Sequence, residues 1–239
     1  MFVELSYSLE PEKIVMPGNI EKPIVIKRSR MSPCPPGEKD SDVRWNSYNN
    51  TSIVKFFAHT GTHIDTPFHV DDNGFQLHDF ELKDFIFEHP LFLEIPKAAF
   101  EKITVQELEP HKDKLSTCDA LLIYTGFSSF REIDPKEYVE KQPSFAVEAA
   151  KYLADNFNIR AYGVDLIGIE NIPQGKAASP VPFPVHKALL LSKKEKVFLV
   201  EDMNLKPLVH KKIKRLFVIP LRIFGIEAMP VTAFAEVED

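Results

Sequence analysis

Between residues 59 and 69 the chain reads His-Thr-Gly-Thr-His-Ile-Asp-Thr-Pro-Phe-His, and no other stretch restricts the fold as tightly. A helix would stack His59 and His63 at i, i+4. Thr60, Gly61, Thr62, Ile64, Thr66 and Pro67 are poor helix formers, however. A straight strand would put positions 59, 63, 65 and 69 on one face, with His63 and Asp65 about 6.6 Å apart at the backbone but His59 about 13 Å from His63. The first pair could share an ion and the second could not, so the run has to curl. Gly61 can take backbone angles closed to other residues, and it leaves open space beside it. Pro67 then fixes the exit, so that His69 arrives from another angle. Imidazoles and a carboxylate converging in this way form a donor set for a divalent cation, at contacts of about 2.0–2.2 Å. A histidine cluster without an ion is the alternative, and around a glycine bend it would be a rare accident.

The rest of the chain supplies a frame of short strands and helices. Strands are expected at residues 1–8, Ile24 to Lys27, Ser52 to Ala58, Phe92 to Ile95, Ala120 to Tyr124, Ala161 to Val164, Val197 to Glu201, Leu216 to Pro220 and Ala228 to Val237. A helix is expected from Thr104 to Lys114, with Thr104 and Glu107 as a capping box. Another should run from Ser144 to Asn156, capped by Ser144 and striped by Ala146, Ala149, Ala150, Leu153 and Ala154. A short one is expected at His186 to Leu191. Strands outnumber helices and alternate with them, which indicates an α/β or α+β domain with a mixed sheet. No domain boundary is visible, so residues 1–239 read as one domain. Residues 9–50 are rich in Pro, Ser, Asn and charge and have little regular pattern, as expected of a lid or an oligomerisation arm.

Bulk properties exclude several classes. A chain of 239 residues can build its core without a structural metal or disulfides. A net charge of −6 disfavours nucleic acid as a partner. The basic runs Lys193-Lys194-Glu195-Lys196 and Lys211-Lys212-Ile213-Lys214-Arg215 read as solvated turns beside strands. No apolar run approaches the roughly 20 residues of a membrane span. The N-terminus lacks a basic region followed by an apolar one, and Cys34 and Cys118 match no paired spacing. A reduced, cytoplasmic protein is the expectation. Gly126-Phe127-Ser128-Ser129-Phe130 lacks the second glycine of a nucleophile elbow, and Cys118 beside an apolar strand reads as a buried structural thiol.

The run from His59 to His69 resembles the His-x-Gly-Thr-His-x-Asp-x-Pro-x-His motif of the cyclase family, which includes kynurenine formamidases and isatin hydrolases. Glu4-Leu5-Ser6-Tyr7-Ser8-Leu9, Thr125-Gly126-Phe127, Tyr162 to Glu170, Val185 to Leu190, Val200 to Leu205 and the closing Ile219-Pro220-Leu221 are similar to further family segments. The resemblance implies a swivelling β/β/α-like fold with a barrel-like core and flanking helices. It also implies a metal-dependent hydrolase of amides, formamides or cyclic amides, with one or two divalent ions, zinc first and manganese second. His59, His63 and Asp65 would hold one ion; Asp65, His186 and Glu201 would surround another; His69 would be the general acid/base. Met16 stands where kynurenine formamidases carry a tryptophan over the substrate, and Tyr124 where an arginine is common. A small-molecule substrate and a homodimer or higher homo-oligomer are further expectations. A lactone or ester hydrolase, or a catalytically idle metal-binding member, are the alternatives.

Overall fold

Residues 213–220 and 228–237 bury every second side chain, so each presents one apolar face. Their pairing begins a sheet that curls around its own core. The computed structural model describes residues 1–11, 15, 24–31, 49–191 and 196–238. The strands are β1 (Phe2–Glu4), β2 (Ile24–Met31), β3 (Asn49–Phe56), β4 (His63–Asp65), β5 (Ile86–Phe87), β6 (Pro90–Glu94), β7 (Lys102–Ile103), β8 (Ala120–Tyr124), β9 (Ser144–Phe145), β10 (Ala161–Val164), β11 (Phe198–Glu201), β12 (Ile213–Pro220) and β13 (Ala228–Val237). The helices are α1 (Val105–Leu108), α2 (Lys112–Leu115), α3 (Phe130–Ile133), α4 (Pro135–Glu140), α5 (Val147–Asn156), α6 (Ile172–Ala177) and α7 (Pro184–Leu191). Among the described residues, no helix is long and apolar enough to cross a membrane.

The main sheet runs β5-β12-β13-β4-β11-β10-β8-β6, with β1 also on β13. The strands β6, β8, β10 and β11 are mutually parallel, and the others join antiparallel. The far strand β6 returns against β12, so the sheet nearly closes into a barrel. Alternation divides the apolar residues between its two faces. Ala120, Leu122, Ala161, Phe198 and Val200 turn inward to meet Ile64, Leu216, Val218, Ala233 and Ala235. Leu121, Ile123, Tyr162, Val164 and Leu199 turn outward beneath α5 and α7. The mixed α/β sheet is the one expected from the residue pattern, and its barrel-like closure is the one the resemblance implies.

Some boundaries differ for local reasons. The first strand pairs only over residues 2–4, because the Tyr7 amide turns away to the Thr62 hydroxyl. Thr104 and Glu107 do form a capping box, but Pro110 divides the helix into α1, a 3-10 turn and α2. Ser144 caps no helix. Its backbone pairs in β9 with β7, and α5 starts after Ala146. Within the 9–50 arm, β2 pairs antiparallel with β3 as a separate ribbon from Ile24↔Phe56 to Met31↔Asn49. Met16, Cys34 and Trp45 lie outside the described residues. The basic run at 211–215 is exposed apart from half-buried Ile213, with Lys212 paired to Glu238 and Arg215 to Glu236, as a solvated edge should be.

Candidate metal centre

The strand β4 is only three residues long, yet it lies between β11 and β13 and runs antiparallel to both. Ile64 points into the barrel, so His63 and Asp65 must point to the other face. Glu201 lies directly opposite His63 in the register, and Val200 points inward, so Glu201 joins the same face. Glu201 ends β11 at the carboxyl edge of the parallel strands, where open α/β sheets place their ligands.

The expected curl is present. Gly61 has φ +63, a backbone conformation that favours glycine, and Leu9 Cδ2 lies 2.5 Å from where a Cβ would stand. The bend returns His59 to the site, with Nδ1 2.9 Å from Asp65 Oδ1 and Nε2 3.2 Å from Glu227 Oε1. Pro67 opens a 3-10 turn, Pro67–His69, that brings the His69 ring to 4.5 Å from the His59 ring. The Thr66 amide and hydroxyl fix the turn's entrance by donating to the Glu227 carbonyl, each at 2.9 Å. From the opposite wall, α7 supplies His186, whose ring lies 5.9 Å from that of His69.

Three imidazoles have their outer nitrogen occupied. His63 Nδ1 donates to the Gly61 carbonyl at 2.8 Å, and His186 Nδ1 lies 3.0 Å from Glu170 Oε2. His59 Nε2 faces Glu227. Their inner nitrogens are left to face carboxylates: His63 Nε2 is 3.4 Å from Asp65 and 3.5 Å from Glu201, and His186 Nε2 is 3.3 Å from Glu201. Outer acceptors of this kind fix the tautomer and ring orientation of metal-ligating histidines. His69 has no hydrogen-bond partner for its ring among the described residues.

The electrostatics match. Burial opposes charge on His59, but Asp65 and Glu227 overcome it and push the pKa up to about 10. Burial likewise opposes charge on His186, and Glu170 with Glu201 pushes it up to about 10. Asp65 is held well below the usual carboxylate range, because His59 and His63 outweigh its own burial. Burial lowers His69 despite nearby Asp65 and so favours the neutral ring. The face draws positive charge inward.

A divalent cation fits these residues. Among the described residues, His63 Nε2 and Asp65 Oδ1 are buried with no hydrogen-bond partner, a rare state for polar atoms. The 2.9 Å approach of His59 to Asp65 lacks the alignment of an N–H···O bond. Two sets, His59-Asp65-His69 and His63-Asp65-Glu201, each hold their donor atoms within 4.8 Å of one another, and they share Asp65.

The structure thus gathers His59, His63, Asp65, His69, His186 and Glu201. It differs from the expected grouping: His69 stands with His59 and Asp65, His63 stands with Asp65 and Glu201, and His186 falls in neither set. Sequence reasoning gave no role to Glu170 or Glu227, which hold two of the imidazoles. It also passed over the aromatic neighbours: Phe57 lies tilted at 5.3 Å from His59, and Phe183 meets His186 edge-on at 5.6 Å. Cys118 is buried away from the cluster, and burial pushes its thiol up to about 12, consistent with a structural role.

A family model named Cyclase ("Putative cyclase") matches residues 3–171. This chain belongs to the cyclase family. A kynurenine formamidase from Geobacillus thermodenitrificans is 34% identical over 152 residues, covering 62% of this chain and 65% of that protein. An uncharacterized protein from Methanocaldococcus jannaschii is 33% identical over 183 residues, covering 74% of this chain and 78% of its own. The solved structure of isatin hydrolase A from Labrenzia aggregata superposes with a TM-score of 0.73 at 21% identity, covering 98% of this chain and 93% of that one. At that identity the likeness speaks for the fold.

Proposed function

We propose that this chain is a metal-dependent hydrolase that cleaves the C–N bond of a small amide, formamide or cyclic amide. The observation that carries the reading is the pair of buried donors, His63 Nε2 and Asp65 Oδ1, that lack a hydrogen bond among the described residues, on the face shared with Glu201. The name of its relative from Geobacillus thermodenitrificans, kynurenine formamidase, supports the reaction class.

His59, His63, Asp65, His186 and Glu201 would hold one or two divalent ions, zinc before manganese. Such an ion lowers the pKa of water to about 7 and polarises a carbonyl oxygen. His69 is the group that moves the proton. Its ring has no hydrogen-bond partner among the described residues, so it can accept a proton from the attacking water and deliver it to the departing nitrogen. Phe57 and Phe183 flank the imidazoles and suit a flat, unsaturated substrate. Glu170 and Glu227 keep the ligand rings oriented.

The test is turnover of N-formylkynurenine, isatin and a simple aryl ester by one preparation of known metal content. The reading expects hydrolysis of at least one amide, loss of activity on chelation and its return with zinc. A metal-replete chain that hydrolyses neither amide refutes it, and hydrolysis of the ester alone reassigns the bond.

A further inference from the structure

Asp202 follows Glu201, and its carboxylate belongs to neither donor set, yet every polar group it has is engaged. The carboxylate takes both arms of a fork from Arg131, Nε to Oδ1 at 2.8 Å and Nη2 to Oδ2 at 2.7 Å. The Tyr138 hydroxyl, 2.8 Å from Oδ1, donates to it as well. The Asp202 amide donates to the Leu166 carbonyl at 2.7 Å, just past the end of β10. The Asp202 carbonyl accepts from the Thr62 hydroxyl at 2.6 Å, and Thr62 is the residue before His63. Asp202 is fully buried, and the Arg131 side chain is nearly so.

Two features set this cluster apart from ordinary core packing. Asp202 has φ +52, a left-handed conformation that a non-glycine residue keeps only when its surroundings hold it there. A buried ion pair is also weak evidence for stability, because well-packed apolar residues serve as well, and its better-attested use is to fix a register. The register here is that of His63 opposite Glu201. Through one residue, the exit of β10, the end of β11 and the entrance of β4 are tied to α3 and α4.

We propose that Asp202, locked by Arg131 and Tyr138, is a positioning residue that sets Glu201 and His63 at cation-binding separation. The inference rests on the reading of the site as a cation centre. Its test is zinc affinity of the metal-stripped full-length chain, measured by competition with a chromophoric chelator beside thermal unfolding of the same stripped protein. Asp202→Asn keeps the shape and loses the charge; groups bonded directly to a ligand are worth roughly 10- to 100-fold in metal affinity, and for Asp202, which acts one residue removed, a rise in Kd of about 10-fold is expected. Because that variant leaves Arg131 unpaired, two gentler changes accompany it. Tyr138→Phe and Thr62→Val remove single hydroxyls, and each should weaken zinc several-fold, while Thr62→Ser, which keeps the hydroxyl, should restore affinity. Variants that melt earlier but bind zinc with the unaltered Kd overturn the proposal and leave the cluster a stability element only. If the unaltered chain itself takes up no zinc, the cation centre fails first and the inference falls with it.

Discussion

His59, His63, His69 and His186 lie together in the fold, but they do not play one part. Three have an outer nitrogen bound to an acceptor and an inner one facing a carboxylate, which is the posture of a ligand. His69 stands within 4.8 Å of His59 and Asp65 but has no acceptor on its ring among the described residues, and burial favours its neutral form. His69→Gln should therefore keep zinc stoichiometry while lowering kcat by about 10²–10⁴, the range typical of a lost acid/base. Metal analysis beside steady-state rates checks this, and loss of zinc would instead make His69 a ligand. The histidines and Asp65 were legible in the sequence because chemistry and spacing lie within eleven residues. Glu170 and Glu227 were not, since each is an ordinary acidic residue until the fold carries it to a ring sixteen or 168 positions away.

At the scale of elements, the bend at Gly61 does what spacing alone demanded: it shortens a distance that a strand would have kept too long. Legibility stopped at the partners. That β4 would be three residues long and flanked by β11 and β13 depends on pairings across more than a hundred residues, which local pattern does not encode. Ser144 shows the same limit, because its cap-like sequence lost to a pairing with β7. Gly61→Ala tests the bend. A Cβ at φ +63 costs about 1–2 kcal/mol from backbone strain. It also meets Leu9 Cδ2 at 2.5 Å. The variant should melt several degrees lower and bind zinc more weakly. An unchanged melting temperature and zinc affinity would show that the curl does not depend on glycine.

For the molecule as a whole, fold class was readable from the alternation of short strands and helices, whereas near-closure of the sheet, with β6 returning to β12, was expected only from family resemblance. The barrel core is apolar and self-contained, so the polar face carrying the site is free to be tuned for binding. That face keeps Asp65 ionised and draws protons onto His59 and His186, whose pKa values near 10 mean that an entering cation displaces protons at neutral pH. The sign follows: affinity rises as pH rises toward 10, because fewer protons compete for the same nitrogens. The most direct measurement is a calorimetric titration of the metal-stripped chain with zinc at several pH values between 6.5 and 9, in buffers of different ionisation enthalpy. The account predicts saturation at one or two ions per chain, with release of protons and tighter binding at higher pH. A titration that never saturates, or that saturates unchanged in the absence of His63 and Asp65, would contradict it.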